Sequence, residues 1–369
     1  MGGMEAEEHL AAPRQHHDPA ALADRLFRDM AGALELLTVY LGERLGLYAA
    51  LHAGGPTTSP ELAARTGTTE RYIREWLEHH AASGLLEVDD PAAGPLARRY
   101  SLPPGHVPVL ADPGDARYQA FNGVEIVRAA RWIPEVAGAM RSGGAPPPLP
   151  WAPEGRPEFN RALFLNLLAK QWLPAIADVD LRLRSEPPAK VADLACGTGW
   201  SSIAMAQAYP LISVDGFDLD ANAIQAARGN AEETDVAGRV TFTVADVSGP
   251  DTADRYDLVT ILEGLHDMSR PVDALRAARG MLRESGCVIV ADERVEGEFT
   301  APASIEEQYH YAWSVVACLP AVMGDPDTAA TGAVMRPAIL QKYARQAGFQ
   351  GLDVLPVQAG MLRFYRLTP

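Results

Sequence analysis

Three groups of residues have the types and spacing to do chemistry. The first is Asp193-Leu194-Ala195-Cys196-Gly197-Thr198-Gly199, a glycine-rich turn directly after a short apolar run. Glycines there let a ligand approach bare backbone, and a helix starting near Trp200 offers free N–H groups to an anionic end. The second is a pair of carboxylates closing later apolar runs: Asp218 in VDGFDLD, with Asp220 beside it, and Asp246 in VTFTVADV. At the end of the second strand a carboxylate can accept from both hydroxyls of a ribose. The third is Leu262-Glu263-Gly264-Leu265-His266-Asp267-Met268, with Asp292 further on in IVADERV. Histidine titrates near neutrality and suits removal of a hydroxyl proton. Each group also has a plainer reading, since an Asp at a strand end caps helices and a loop histidine can simply pack.

These residues need a scaffold, and from Lys190 onward short apolar runs alternate with helical stretches. That pattern implies a mostly parallel sheet covered on both faces. Strands are expected at Val191–Leu194, Ile212–Phe217, Val240–Ala245, Leu258–Leu262, Cys287–Ala291, Leu352–Val357 and Met361–Leu367. Only Gln358-Ala359-Gly360 separates the last two, too short for a crossover helix, so they pair antiparallel. The carboxylates and His266 then fall at strand C-terminal ends, where such sheets bind ligands.

The glycine turn resembles the loop of S-adenosylmethionine (SAM) dependent methyltransferases, with Ala195 in place of the usual first glycine. Residue 202, where a nicotinamide fingerprint needs Gly or Ala, is serine. The terminal antiparallel hairpin is likewise characteristic of class I methyltransferases, and the fold class this implies is α/β, a Rossmann-like seven-stranded sheet behind a mainly helical N-terminal domain. The resemblance implies that Gly197 and Gly199 lie against the methionine portion of SAM and that Asp193 accepts from its amino end. It further implies that Asp218 holds the ribose, that Asp246 and the Val247 N–H hold the adenine, and that Ala195 and Glu263 complete the cofactor contacts. The segment around His266 resembles the strand-end His-Asp of O-methyltransferases with an N-terminal winged helix, where the histidine is the general base. Asp292 matches the carboxylate that orients it, with Glu293 as a substitute. Met268 replaces the Trp usual in the plant enzymes, and the resemblance is stronger to bacterial methyltransferases with a Rv2258c-like winged helix.

The N-terminal half is helical. Residues 1–20 read as a disordered tail with solvated His16 and His17, followed by an apolar stripe of Leu22, Leu26, Met30, Leu34 and Leu37 and by a second helix from about Gly42 to Leu51. In the next helix Ser59 is the expected N-cap and Pro60 the first helical residue, and Glu70 to Ala82 follows after Gly67. LLEVDD and RRYSL then complete a winged helix, making residues 21–112 a dimerisation and lid domain, 113–185 a helical bridging layer broken at GGAPPPLPWAPEG, and 186–369 the SAM-binding domain. The bridging helices are expected at Tyr118–Arg141 and Pro157–Leu183.

Charge argues against nucleic acid as a partner. The chain carries a formal net charge of −16, and residues 1–110 hold nine Arg and no Lys against fifteen Asp and Glu. A recognition helix bearing Glu70, Glu75 and Glu78 would repel phosphate. The longest uncharged apolar stretch, Tyr311 to Gly324, is too short to span a bilayer, so no membrane partner is expected. Three widely separated cysteines, Cys196, Cys287 and Cys318, and an acidic N-terminus without an apolar core fit a cytoplasmic protein with no export signal. No His or carboxylate cluster suggests a metal.

The acceptor is expected to be a small, partly apolar molecule methylated at oxygen. Its contacts should come from the bridging layer, with Trp172 and Tyr118 as aromatic walls, and from the insertion after the fifth strand. There His310, Ser314 and Cys318 recur on one helical stripe, while Ile305, Tyr309, Trp313 and Val316 form a second stripe expected to be core. Two other functions stay open at this point: a SAM-binding enzyme that catalyses a rearrangement, and a DNA-binding regulator.

Overall fold

A computed structural model describes residues 18–147, 159–247 and 255–369; the remainder of the expected tail and part of the proline-rich break lie outside them. The chain opens with α1 (Pro19–Arg44), capped by the Asp18 side chain, and turns at Gly46 (φ +65°) into α2 (Leu47–Gly54). Thus the second helix begins later than Gly42, because Gly46 in the left-handed region interrupts the run. α3 (Ser59–Thr66) is capped by Thr58 rather than Ser59, because Thr58 and Glu61 close a reciprocal capping box. α4 (Glu70–Ala82) and the antiparallel pair β1 (Glu87–Val88) and β2 (Tyr100–Ser101) complete the expected winged helix. In α4, Glu70 pairs with Arg74 and Glu75 with Arg71, while Glu78 holds Arg98 from the wing, so its charges are largely spent locally.

α5 (Val107–Leu110) leads to α6 (Phe121–Ser142), which lies along α1. Gly123 permits the contact, since a Cβ there would stand 2.6 Å from the Leu36 carbonyl oxygen. The second bridging helix is not continuous as expected from 157 to 183. It consists of α7 (Phe159–Leu163), a π-helical stretch Phe164–Trp172 and, after a turn, α8 (Ala177–Arg184).

The seven remaining strands form one sheet. They are β3 (Lys190–Leu194), β4 (Ser213–Asp218), β5 (Val240–Val244), β6 (Tyr256–Leu262), β7 (Leu282–Glu293), β8 (Gly351–Val354) and β9 (Leu362–Thr368), in the order β5-β4-β3-β6-β7-β9-β8. All pairs are parallel except those of β9, which runs antiparallel to β7 and β8 as the short 358–360 connection required. α9 (Trp200–Ala208) and α10 (Ala221–Glu232) cover one face, with the π-helical stretch. α11 (Pro271–Met281) and α14 (Pro337–Gln346) cover the other. Alternation along the strands divides the core: Val191 and Phe364 enter the first layer, Ala192, Leu194, Tyr365 and Leu367 the second. β6, central and covered on both sides, is buried at all seven positions. Strand order reverses between β3 and β6, which places the ligand crevice at the end of β3. An insertion after β7 holds α12 (Ile305–Trp313), a π-helical turn Ser314–Cys318 and α13 (Leu319–Val322). Among the described residues, no helix is long and apolar enough to cross a membrane.

The N-terminal core is built around a polar contact. His80, fully buried, sits against Trp76 and bonds Tyr48 Oη through Nε2 (2.8 Å) and the Trp76 carbonyl through Nδ1 (3.0 Å). Burial pushes its pKa down to about 4. The unfolded chain therefore binds a proton that the folded chain refuses between the ordinary histidine value and about 4, and stability falls as pH drops through that window. The loss is on the order of 3 kcal/mol when complete. Chemical denaturation between pH 7 and 4 should show it, and His80→Gln should flatten that part of the profile; an unchanged slope would contradict this account.

Candidate active site

The loop after β3 takes the left-handed conformation at Ala195 (φ +57°), Gly197 (φ +53°) and Gly199 (φ +84°). Asp218, at the end of β4, braces it: Oδ2 accepts from the Gly197 N–H at 2.8 Å and Oδ1 from the Asp220 N–H at 2.9 Å. Asp220 itself caps α10. A Cβ on Gly197 would meet nothing within 4 Å, so that side of the loop is open to a ligand. Gly199 has a different reason to be glycine than the expected ligand contact, because a Cβ there would stand 2.6 Å from the Phe242 ring. It also ends the loop at the first turn of α9, whose N–H groups face the crevice end of the sheet.

Asp193 lies beneath the loop, almost fully buried. Its carboxylate accepts from Ser201 (2.5 Å), Ser202 (2.7 Å) and Thr260 (2.8 Å), tying β3 to α9 and β6, and burial raises its pKa despite those bonds. The serine that broke the nicotinamide fingerprint is thus a partner of Asp193. Asp246 stands exposed past β5 and pairs with Arg270 at 2.6 Å, while Val247 is buried in the second core layer.

β6 delivers the reacting groups. Glu263 takes φ +55°, and a Cβ at Gly264 would meet the Ala195 Cβ at 2.9 Å, so the two crevice loops touch. A 3-10 turn, Leu265–Asp267, then presents His266. Its Nδ1–H donates to Asp292 Oδ1 at 2.7 Å, and its backbone N–H donates to Oδ2 at 3.3 Å. Asp292, 0% exposed at the end of β7, also accepts from the Glu293 N–H. Since a carboxylate only accepts, the ring keeps its proton on Nδ1, which leaves Nε2 as the nitrogen that gains or loses one. Burial opposes the imidazolium, but Asp292 and Asp267 outweigh it and hold the pKa well above the ordinary histidine value.

Residues beyond the sequence expectation surround this pair. Asp267 lies 3.3 Å from Nε2, and the Cys318 Sγ lies within 4.8 Å of a ring nitrogen. Glu293 faces His310 Nδ1 at 3.3 Å. Burial and the Asp292 charge push Glu263 up to about 7, and burial with the Glu263 and Asp292 charges pushes Glu293 up to about 8. His310 is buried, its Nε2 without a partner among the described residues, and burial lowers its pKa. The i, i+4 stripe of His310 and Cys318 was the sequence signal for these contacts. Arg336 straps the insertion down by bonding Glu307, Tyr311 and the carbonyls of Glu296 and Glu298.

Three expectations change. Trp172 is 2% exposed and packs edge-on against Phe364, so it is sheet core and not an acceptor wall. Tyr118 belongs to the N-terminal core beside Phe121. The stripe expected to be core is not: Ile305 is 77% exposed and Tyr309 is exposed, while Trp313 and Val316 are part-buried, because the insertion buries its His310 side. Ser314 lies at the inner margin, where Oγ accepts from the Ala333 N–H.

Comparison with known proteins agrees with this geometry. Residues 185–347 match a family model described as a methyltransferase domain, and residues 32–112 match one described as a Rv2258c-like winged HTH domain. A ubiquinone biosynthesis O-methyltransferase from Bordetella avium is 28% identical over 212 residues, 56% of this chain and 80% of that protein. Human N-acetylserotonin methyltransferase, solved in complex with SAM, superposes with TM-score 0.70 at 18% identity, covering 96% of this chain and 99% of that one. A Nostoc punctiforme protein described as a putative O-methyltransferase gives TM-score 0.65 at 22% identity over 95% and 99% of the two chains. At these identities the solved structures speak for the fold.

Because Gly199 is held by protein packing as well as by its backbone conformation, Gly199→Ala should cost roughly 1–3 kcal/mol of stability and weaken SAM binding together. Ala195→Gly, which relieves a left-handed alanine, should keep both. Thermal denaturation and calorimetric SAM titration read these effects, and a Gly199→Ala protein of parental stability would contradict the packing argument.

Proposed function

We propose that this chain, in which a methyltransferase domain follows a Rv2258c-like winged HTH domain, uses SAM to methylate a hydroxyl of a small, partly apolar acceptor with His266 as general base. The observation that carries the reading is the buried Asp292–His266 pair at the strand end, which engages Nδ1 and leaves Nε2 beside the half-exposed Asp267. The O-methyltransferase relative supports oxygen as the site of transfer.

When bound, SAM supplies a methyl group on a positively charged sulfur, a leaving group good enough that the protein's work is mainly placement. The open Gly197 face and the α9 N-terminus suit the methionine end, Asp218 the ribose, and Asp246 with the Val247 N–H the adenine. Ala195 shapes the loop, Glu263 lines the crevice, and Asp193 acts on the amino end through the loop that it fixes. His266 Nε2 takes the acceptor's hydroxyl proton, and Asp292 stabilises the imidazolium that forms. His310 and Ser314 border the acceptor from the insertion.

By this reading, residues 186–369 hold SAM, 113–185 bridge, and 21–112 act as a lid and homodimer contact with no role in nucleic-acid binding. Along α1, Leu22, Leu26, Phe27, Met30, Leu34 and Leu41 are all exposed, a longer apolar face than a free helix sustains in water. Burying it against a second copy removes that exposure at about 25 cal/mol per Å². Sedimentation should give a dimer, and charged substitutions at Leu26 and Met30 should give monomers; a parental monomer at working concentration would refute the contact.

Incubation with methyl-labelled SAM and pooled small metabolites should yield a labelled product and S-adenosylhomocysteine. A product of unchanged mass would instead mean a rearrangement. With that acceptor, His266→Ala should slow transfer by ~10²-fold or more while SAM binding persists. Only the unprotonated imidazole accepts a proton, and its pKa is raised, so the rate should climb as pH rises above neutrality. A rate that is flat with pH and unaffected by His266→Ala would exclude the base.

A further inference from the structure

An imidazole that gives one ring nitrogen to a buried carboxylate is also how proteins hold a metal-binding histidine, since the carboxylate fixes the tautomer and raises the basicity of the other nitrogen. His266 is held in this way by Asp292. Around its free side the chain brings two further donors. Asp267, the next residue, places Oδ1 3.3 Å from Nε2. Cys318 arrives beside the same ring from the π-helical turn of the insertion. One donor atom from each of the three residues lies within 4.8 Å of the other two, and among the described residues this is the group of His, Cys, Asp and Glu donors that converges so closely.

The donor types select the ion. A thiolate with an imidazole and one carboxylate disfavours magnesium and calcium, which take oxygen, and matches zinc, which is bound by mixed N, S and O sets with a fourth position left to solvent. The side chains approach the crevice from two elements, the β6 end and the insertion, and the insertion is strapped in place by Arg336. Half-exposure of Asp267 gives the ion a way in.

We propose that His266, Asp267 and Cys318 form a zinc(II) site whose occupancy switches methyl transfer off. The ion takes the Nε2 lone pair and the Cys318 sulfur, the thiol proton and the proton carried by Nε2 leave to solvent, and no electron changes hands. With its lone pair in a metal bond, His266 cannot accept the acceptor's proton. The inhibition rests on the His266 base of the proposed function, whereas the binding rests on the three donors alone.

Cobalt(II), which fills zinc sites and reports thiolate ligation by a charge-transfer absorption, is the probe for the full-length chain. One equivalent should produce the band, and zinc(II) should displace it. The band should vanish in Cys318→Ser, survive in Cys287→Ala, and need roughly 10–100-fold more cobalt in Asp292→Asn, which loses the outer hydrogen bond. Circular dichroism matching the parent shows that Cys318→Ser is folded. In parallel, label transfer from SAM to the metabolite pool should drop at least tenfold with zinc(II), recover with a chelator, and resist zinc(II) in Asp267→Asn. No band, or a band intact in Cys318→Ser, overturns the metal site and leaves the base untouched. A band with undiminished transfer keeps the site and overturns His266 as the base.

Discussion

The bond from His266 Nδ1 to Asp292 is the interaction on which the rest of the site depends. Both groups are buried, and isolated burial of a carboxylate costs several kcal/mol. The structure offsets that cost by surrounding Asp292 with donors: the imidazole N–H and the backbone N–H groups of His266 and Glu293. Those donors exist only because β6 and β7 are parallel neighbours whose C-terminal ends arrive side by side. β9 then covers the other edge of β7, antiparallel, with Arg363 opposite Asp292 in the strand register. The terminal hairpin is therefore part of what keeps the carboxylate dry and in register.

Negative charge is concentrated around this bond. Glu263, Asp267, Asp292 and Glu293 all bear on His266, and Glu263 and Glu293 are pushed toward neutrality by burial and by the Asp292 charge. The arrangement divides the carboxyls into two kinds. Asp292 is satisfied by donors, while Glu263 and Glu293 are poised to hold protons near physiological pH. Such a surrounding stabilises an imidazolium as it forms and suits a positively charged sulfur in the adjoining crevice.

The scaffold was far more legible than the site. Strand positions followed from apolar runs bounded by turns, and the antiparallel ending followed from the short 358–360 connection, because strand pairing leaves few options over that distance. The glycine loop, Asp218 and the His266–Asp292 pair were readable since each sits at a strand end. What sequence periodicity missed has a common cause: distance along the chain hides partners, and helical stripes carry no sign for inside or outside. Trp172 looked like a ligand wall and is core because the π-helical stretch turns it onto Phe364. The Ile305–Tyr309 stripe looked like core and faces out because the insertion buries the polar His310 side against Glu293. The hydroxyls that hold Asp193 come from Ser201 and Ser202 in the first turn of α9 and from Thr260 in β6, and no local pattern marks them as its partners.

Nitrogen-resolved NMR of the His266 ring across pH, in the parent chain and in Asp292→Asn, measures the central interaction directly. The account requires that His266 titrate above the ordinary value of 6.5, that its neutral form carry the proton on Nδ1, and that loss of the Asp292 charge let burial drive the pKa below 6.5. A His266 that titrates at or below 6.5 in the parent, or that is indifferent to Asp292→Asn, would contradict it.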